Sequence, residues 1–260
     1  MLRLRRRDRP APRPKVSFSE LTAATPEELA ARFAAPPEQA APWAEAAAKY
    51  GMADAQVLWG QMKLDGLGTA RDEAEAVEWF RSAAAAGNAA ALNMLGRCYE
   101  LGRGVSVDYA QAAENFRQSA EKGFDWGQYN YANMLWRGDG VARDAAAALH
   151  WYRRAAEQGH AKSLNMVGRF LEEGWETPRD PQAAVRYYLA SAKGGDFRGQ
   201  FNLAALLTAH GQVAEAAYWF REAAQRAHDG FRRSMVPRLA ERPEPELRAI
   251  AAEIEAVLGD

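Results

Sequence analysis

His150-Trp-Tyr-Arg-Arg-Ala-Ala-Glu-Gln-Gly-His160 is the stretch whose reading decides the fold. Its glycine, Gly159, belongs to a series: Gly51, Gly87, Gly123, Gly159 and Gly195 lie 36 residues apart without slippage. Its rings recur on the same interval. Trp79, Asn115, Trp151 and Tyr187 form one column, and Phe80, Phe116, Tyr152 and Tyr188 the next. Asp72, Asp108, Asp144 and Asp180 make a third, and Gly66, Gly102, Gly138 and Gly174 a fourth. A fifth unit is shorter, because Trp219 and Phe220 follow Tyr187 and Tyr188 by 32 residues. A loop tolerates such a deletion, since closure entropy changes slowly with length.

Each column has a physical reason. Small residues recur at Ala55, Ala91, Gly127, Ser163 and Gly199, and again at Gly60, Gly96, Ala132, Gly168 and Ala204. Glycine inside a helix costs about 1 kcal/mol against alanine, so small residues held in register predict close helix–helix approach. Between them stand Trp59, Leu95, Tyr131, Val167 and Leu203, followed three positions later by Met62, Cys98, Met134, Phe170 and Leu206. That spacing is one buried stripe of an α-helix. A second helix repeats the logic with Ala76, Phe80 and Ala84, or Ala112, Phe116 and Ala120. The aspartates sit one residue ahead of it as N-caps. Asp72 with Glu75 and Asp108 with Gln111 read as capping boxes, and Asp180 precedes Pro181, a favoured first helical residue. The 36-period glycine then stops the second helix in the left-handed conformation.

Every unit is therefore a helix, a glycine-containing loop, a capped helix and a glycine stop. A single hairpin cannot bury its own stripe, whereas stacked hairpins can. The pattern predicts an all-α solenoid of about five helix-turn-helix repeats. Units are placed near 52–87, 88–123, 124–159, 160–195 and 196–227, with partial repeats at 43–51 and 229–236. The first partial repeat, from Trp43, matches a second helix. The last resembles a first helix cut off at Pro237. Residues 237–260 are read as a capping region whose helix, about Glu246–Leu258, puts Leu247, Ile250, Ile254 and Val257 on one face.

Asn93-Met-Leu-Gly-Arg-Cys-Tyr-Glu-Leu-Gly-Arg-Gly-Val105, Asp108 and the 150–160 stretch resemble the Sel1-like repeat, a relative of the tetratricopeptide (TPR) repeat. The resemblance covers roughly residues 43–236. It implies a right-handed α/α superhelix with helical caps, and a scaffold or adaptor that binds proteins in its concave groove. Secreted members often carry a disulfide in each repeat, which a chain with Cys98 alone cannot form.

Composition narrows the class further. Hydrophobic residues make up 48% and charged residues 26%, enough for a soluble protein with a sizeable core. No apolar run is long enough to cross a bilayer, and no apolar stretch follows the charged start as a secretory signal requires. With its single cysteine, the chain is expected in a reducing, cytoplasmic setting. Residues 1–15 carry seven Arg/Lys against Asp8, a net +6 that leaves −7 elsewhere in a chain of net charge −1. This Pro/Arg segment is expected to be disordered. An Arg-rich arm of this kind also allows an alternative function, a regulator held on nucleic acid or an anionic membrane. Residues 16–42 read as a linker in which Thr25-Pro26-Glu27-Glu28 opens a short helix to about Ala35.

No residue pattern points to catalysis, a cofactor, a metal or a small-molecule substrate. Cys98 occupies a core column. The four histidines, His150, His160, His210 and His228, show no ligand spacing, and Gly102-Arg-Gly104 lacks the Lys-Ser/Thr of a phosphate loop. Binding is the better reading. By similarity to TPR arrays the first helices line the concave face, and residues opposite the buried stripe form its surface. These are Asn93 and Arg97, then Tyr129, Asn133 and Arg137, then Asn165 and Arg169, then Phe201, with Trp126, Lys162 and Arg198 at the groove edge. Amides bond a peptide backbone, arginines its carboxylates and rings its apolar side chains. Arg97, Asn133 and Arg169 share one register, which points to an acidic peptide or a C-terminal segment of a partner.

Overall fold

The computed structural model describes residues 15–259; of the basic segment, only Lys15 falls among them. Among the described residues the secondary structure is helical, with no strand. The chain divides into two compact units, the first ending at Asp108 and the second beginning at Tyr109. The first holds α1 (Phe18–Ala23), α2 (Pro26–Phe33), α3 (Pro37–Lys49), α4 (Ala53–Asp65), α5 (Glu73–Ala85) and α6 (Ala89–Leu101). The second holds α7 (Tyr109–Glu121), α8 (Asp125–Arg137), α9 (Ala145–Glu157), α10 (Ala161–Glu173), α11 (Pro181–Lys193), α12 (Phe197–Ala209), α13 (Val213–Arg226), α14 (Asp229–Ala240) and α15 (Pro245–Gly259). Within each unit successive helices pack as hairpins, α4 on α5, α8 on α9, α10 on α11 and α12 on α13. The architecture is the all-α, solenoid type of helix-turn-helix repeats.

Every helix from α4 to α12 is 13 residues long. Isolated helices shorter than about 12–15 residues are marginal in water, so these depend on caps and packing. Asp72, Asp144 and Asp180 each accept a hydrogen bond from the third backbone N–H of their helix. Asn88, His160 and Asp196 do the same for α6, α10 and α12. The ring column Phe80, Phe116, Tyr152, Tyr188 and Phe220 is fully buried. The small-residue columns let these rings in. A methyl group added at Gly168 would stand 2.7 Å from the Tyr188 ring, and one at Gly60 would stand 2.6 Å from Phe80.

The loops that hold Gly68, Gly104 and Gly140 rest on the preceding second helix. A Cβ at Gly104 would lie 2.1 Å from the Glu73 carbonyl oxygen at the start of α5. Gly140 meets Tyr109 at the start of α7 in the same way. The next position in this column is Glu176, which adopts a left-handed φ of 50°.

Four expectations need correction. α3 starts at Pro37 and passes through Pro42, and α14 runs through Pro237 to Ala240 instead of stopping there. An interior proline forfeits one backbone bond and crowds the preceding turn. Burial of Ala41 and Ala44 in α3, and of Met235 and Leu239 in α14, holds both helices across it. Val257 is 62% exposed, unlike Leu247, Ile250 and Ile254 of the same helix, because the core ends one turn earlier. Asp72 caps α5 without a reciprocal box, since Glu75 turns instead to Trp79 Nε1 and Lys63. Complete boxes occur further upstream, at Ser17/Glu20 and Thr25/Glu28.

Candidate binding surface

The residues expected to bind fall on both units. In the first, α6 carries Arg97 on its exposed side, whereas Asn93 is only 5% exposed. In the second, α8, α10, α12 and α14 are linked side by side through their side chains. Trp126 of α8 meets His160 at the start of α10, with ring centroids 4.7 Å apart. Asn202 of α12 donates a 2.8 Å hydrogen bond to Asn165 of α10. Phe231 of α14 stands 5.5 Å from Phe201 of α12.

Three of the expected surface residues are interior. Asn93, Asn165 and Phe201 are 5%, 3% and 8% exposed. All three lie two positions after the small residue, and in the second unit Asn165 and Phe201 are spent on the neighbouring helices α12 and α14. Asn133 is half-buried and accepts a 2.7 Å hydrogen bond from the Tyr152 hydroxyl. Its amide also bonds Tyr129.

The others form an aromatic and cationic strip. Trp126 is 41% exposed, and Tyr129 packs edge-on to it at 6.3 Å. Lys162 Nζ lies 4.8 Å from the centre of the Trp126 ring and 6.0 Å from that of Tyr129. Such contacts hold an ammonium in place while leaving its charge available. Arg169 stacks on Trp175 at 5.2 Å and Arg198 on Phe197 at 4.5 Å. Among the described residues Lys162, Arg169 and Arg198 form no ion pair. Arg137 pairs with Asp139 at 3.3 Å. Burial pushes the Tyr129 phenol above its ordinary range, while its bond to Asn133 and the charges of Arg198 and Arg137 pull the other way. The Asp196 carboxyl is raised by burial and spent on capping α12.

Three members of the surface escaped the sequence reading. His160 has no ligand spacing to mark it, although it shares the cap column of Asn88 and Asp196. It is buried against Trp126 and Tyr129, and burial lowers its pKa to about 4. Trp136 and Trp175 stack at 5.0 Å; both lie outside the periodic columns, so repetition carries no signal for them. Among the described residues no group of three or more His, Cys, Asp or Glu could hold a metal ion, and no helix is long and apolar enough to cross a membrane.

The Sel1 repeat family model matches residues 53–88, 89–124, 127–160, 161–196 and 198–228. Among solved structures the chain is similar to a protective antigen of uropathogenic Escherichia coli strains displaying an SLR fold. The two are 30% identical with a TM-score of 0.69, over 90% of this chain and 53% of that one. It is also similar to a Sel1 repeat protein from Oxalobacter formigenes, at 26% identity and a TM-score of 0.74, over 89% of this chain and 99% of the other. An immunity protein from Pseudomonas aeruginosa, 17% identical with a TM-score of 0.52 over 78% of this chain and 80% of its own, shares the fold alone. No curated protein matches the chain in sequence.

Proposed function

The chain belongs to the Sel1 repeat family, and from that premise we propose that it is a protein-interaction scaffold whose second unit takes an acidic segment of a partner along α8, α10 and α12. Proteins built from these repeats serve in general as scaffolds, and repetition itself favours an extended ligand over a small one. The observation that carries the reading is the row of cations held on aromatic rings along α10 and α12: Lys162 on Trp126 and Tyr129, Arg169 on Trp175 and Arg198 on Phe197. Aromatic anchors beside guanidinium groups are the residue types that dominate interface energetics, and arginine forks match carboxylates in both charge and geometry. Arg169 extends the strip on α10. Asn93 and Asn165 are buried and do not themselves meet the ligand in this reading. Binding, not catalysis, is the proposed activity, and a cytoplasmic location is supported by the single buried thiol of Cys98.

Selection of a random peptide library on the immobilised full chain tests this. Peptides enriched in aspartate and glutamate are expected, and the enrichment should vanish for the Lys162→Glu, Arg169→Glu, Arg198→Glu variant with an unchanged melting temperature. Enrichment of neutral or basic peptides by the wild type would sink the reading.

A further inference from the structure

Beside α12 and α14 lies an open cavity of about 430 Å³, walled by Phe201, Phe220 and Leu239 and bordered by Arg238, Arg242 and Glu241. The half-buried Ala205 and the edge of Phe201, which packs edge to face on the buried Phe220 at 5.3 Å, supply an apolar wall. Arg238 Cζ lies 5.4 Å from the centre of the Phe201 ring, so a cation and an aromatic wall share one pocket. Among the described residues neither Arg238 nor Arg242 forms an ion pair. The turn bearing Arg242 is pinned, because Arg248 Nη1 donates to the carbonyls of Arg242 and Pro243 at 3.0 and 2.6 Å. Two guanidiniums against the one carboxylate of Glu241 leave the rim positive.

We propose that this pocket captures the C-terminal residue of the partner segment, its apolar side chain against Phe201 and Ala205 and its terminal carboxylate on Arg238 and Arg242. The inference rests on the acidic-segment reading above and deepens it. The geometry favours a terminus over an internal acidic residue. In a terminal residue the carboxylate and the side chain leave the same Cα, so both reach one pocket. In an extended internal segment, successive side chains point to opposite faces, and an acidic residue and its apolar neighbour cannot enter together. A bidentate guanidinium–carboxylate pair then adds direction to the charge attraction.

Two dye-labelled octapeptides of alternating glutamate and serine, each ending in leucine, test this by fluorescence anisotropy against the full chain. One has a free terminal carboxylate and the other is amidated. The free acid is expected to bind at least tenfold more tightly. Arg238→Ala with Arg242→Ala should abolish that preference, leaving the amide's affinity and the melting temperature unchanged. Lys162→Ala with Arg169→Ala should weaken both peptides by one common factor. Equal affinities of wild type for the two peptides overturn the terminal pocket and leave the acidic-segment reading standing. So does a preference that survives in the Arg238/Arg242 variant. Failure of both peptides to bind overturns the two readings together.

Discussion

The Tyr152 hydroxyl donates a 2.7 Å hydrogen bond to the side-chain oxygen of Asn133, joining the buried ring column of α9 to the surface strip of α8. The column changes from phenylalanine at 80 and 116 to tyrosine at 152 and 188, and both hydroxyls are spent, the second on Glu172 at 2.7 Å. Burial raises both phenols well above their usual range, so they remain neutral donors. A buried hydroxyl without a partner costs about 1–3 kcal/mol, which is why tyrosine is admitted only where an acceptor faces it.

Tyr152→Phe removes the donor but leaves Asn133 half-buried and within reach of water. It is expected to cost ~0.5–1.5 kcal/mol, the net worth of an ordinary hydrogen bond. Phe116→Ala, which empties a fully buried ring site, is expected to cost ~3–5 kcal/mol. Urea unfolding of the two variants checks the ranking; equal effects would mean that the ring column is not the core.

Gly168→Ala sets propensity against packing. Alanine is favoured over glycine in a helix by about 1 kcal/mol, yet its methyl would meet the Tyr188 ring at 2.7 Å. Overpacking costs ~1–3 kcal/mol, and moving the ring also strains the bond to Glu172. Net destabilisation by ~1–2 kcal/mol is expected in the same assay. Stabilisation would show that the two hairpin helices separate freely.

Glu176 pays for a left-handed φ of 50° in a column otherwise filled by Gly68, Gly104 and Gly140. A side chain in that region costs roughly 1–2 kcal/mol, partly offset by the greater unfolded-state freedom of glycine. Glu176→Gly is therefore expected to stabilise by ~0.5–1 kcal/mol. A fall in melting temperature would show that the glutamate side chain contributes more than its backbone costs.

His160 gives stability a pH dependence of known sign. Its pKa is lowered to about 4, chiefly by burial, from an unfolded value of about 6.5. Between these values the unfolded chain binds the extra proton, so stability falls as pH drops through that window and is fully present above it. The contribution is on the order of 1–3 kcal/mol. His160→Asn keeps a capping side chain, as Asn88 does for α6, and removes the titration. Melting curves from pH 7 to pH 4 should fall more steeply for wild type than for the variant. Parallel curves would exclude His160 as the source.

Much of the fold was legible because repetition turns one residue choice into several. Gly60 and Gly168 announced close approach before any partner was known, and the aspartates announced the start of each second helix. The binding surface was legible only in part. Counting around one helix places Asn165 opposite the buried Val167, but the count knows nothing of α12, whose Asn202 covers it. Reading Pro237 as a helix end also hid Arg238 and Arg242, since local proline chemistry was weighed without the packing of Met235 and Leu239.

By itself the sequence determined the hairpin, its caps, its 36-residue spacing and the residues that fill its interior, because these depend on short-range sterics and on periodic apolar faces. Only the tertiary structure decided which side chains of neighbouring repeats meet: His160 against Trp126, Lys162 over the same ring, Arg238 over Phe201. Those contacts join positions that no helical period relates, and they follow from how one hairpin is rotated and displaced on the next. That displacement is set by the fit of whole packed faces, a property that no single repeat contains.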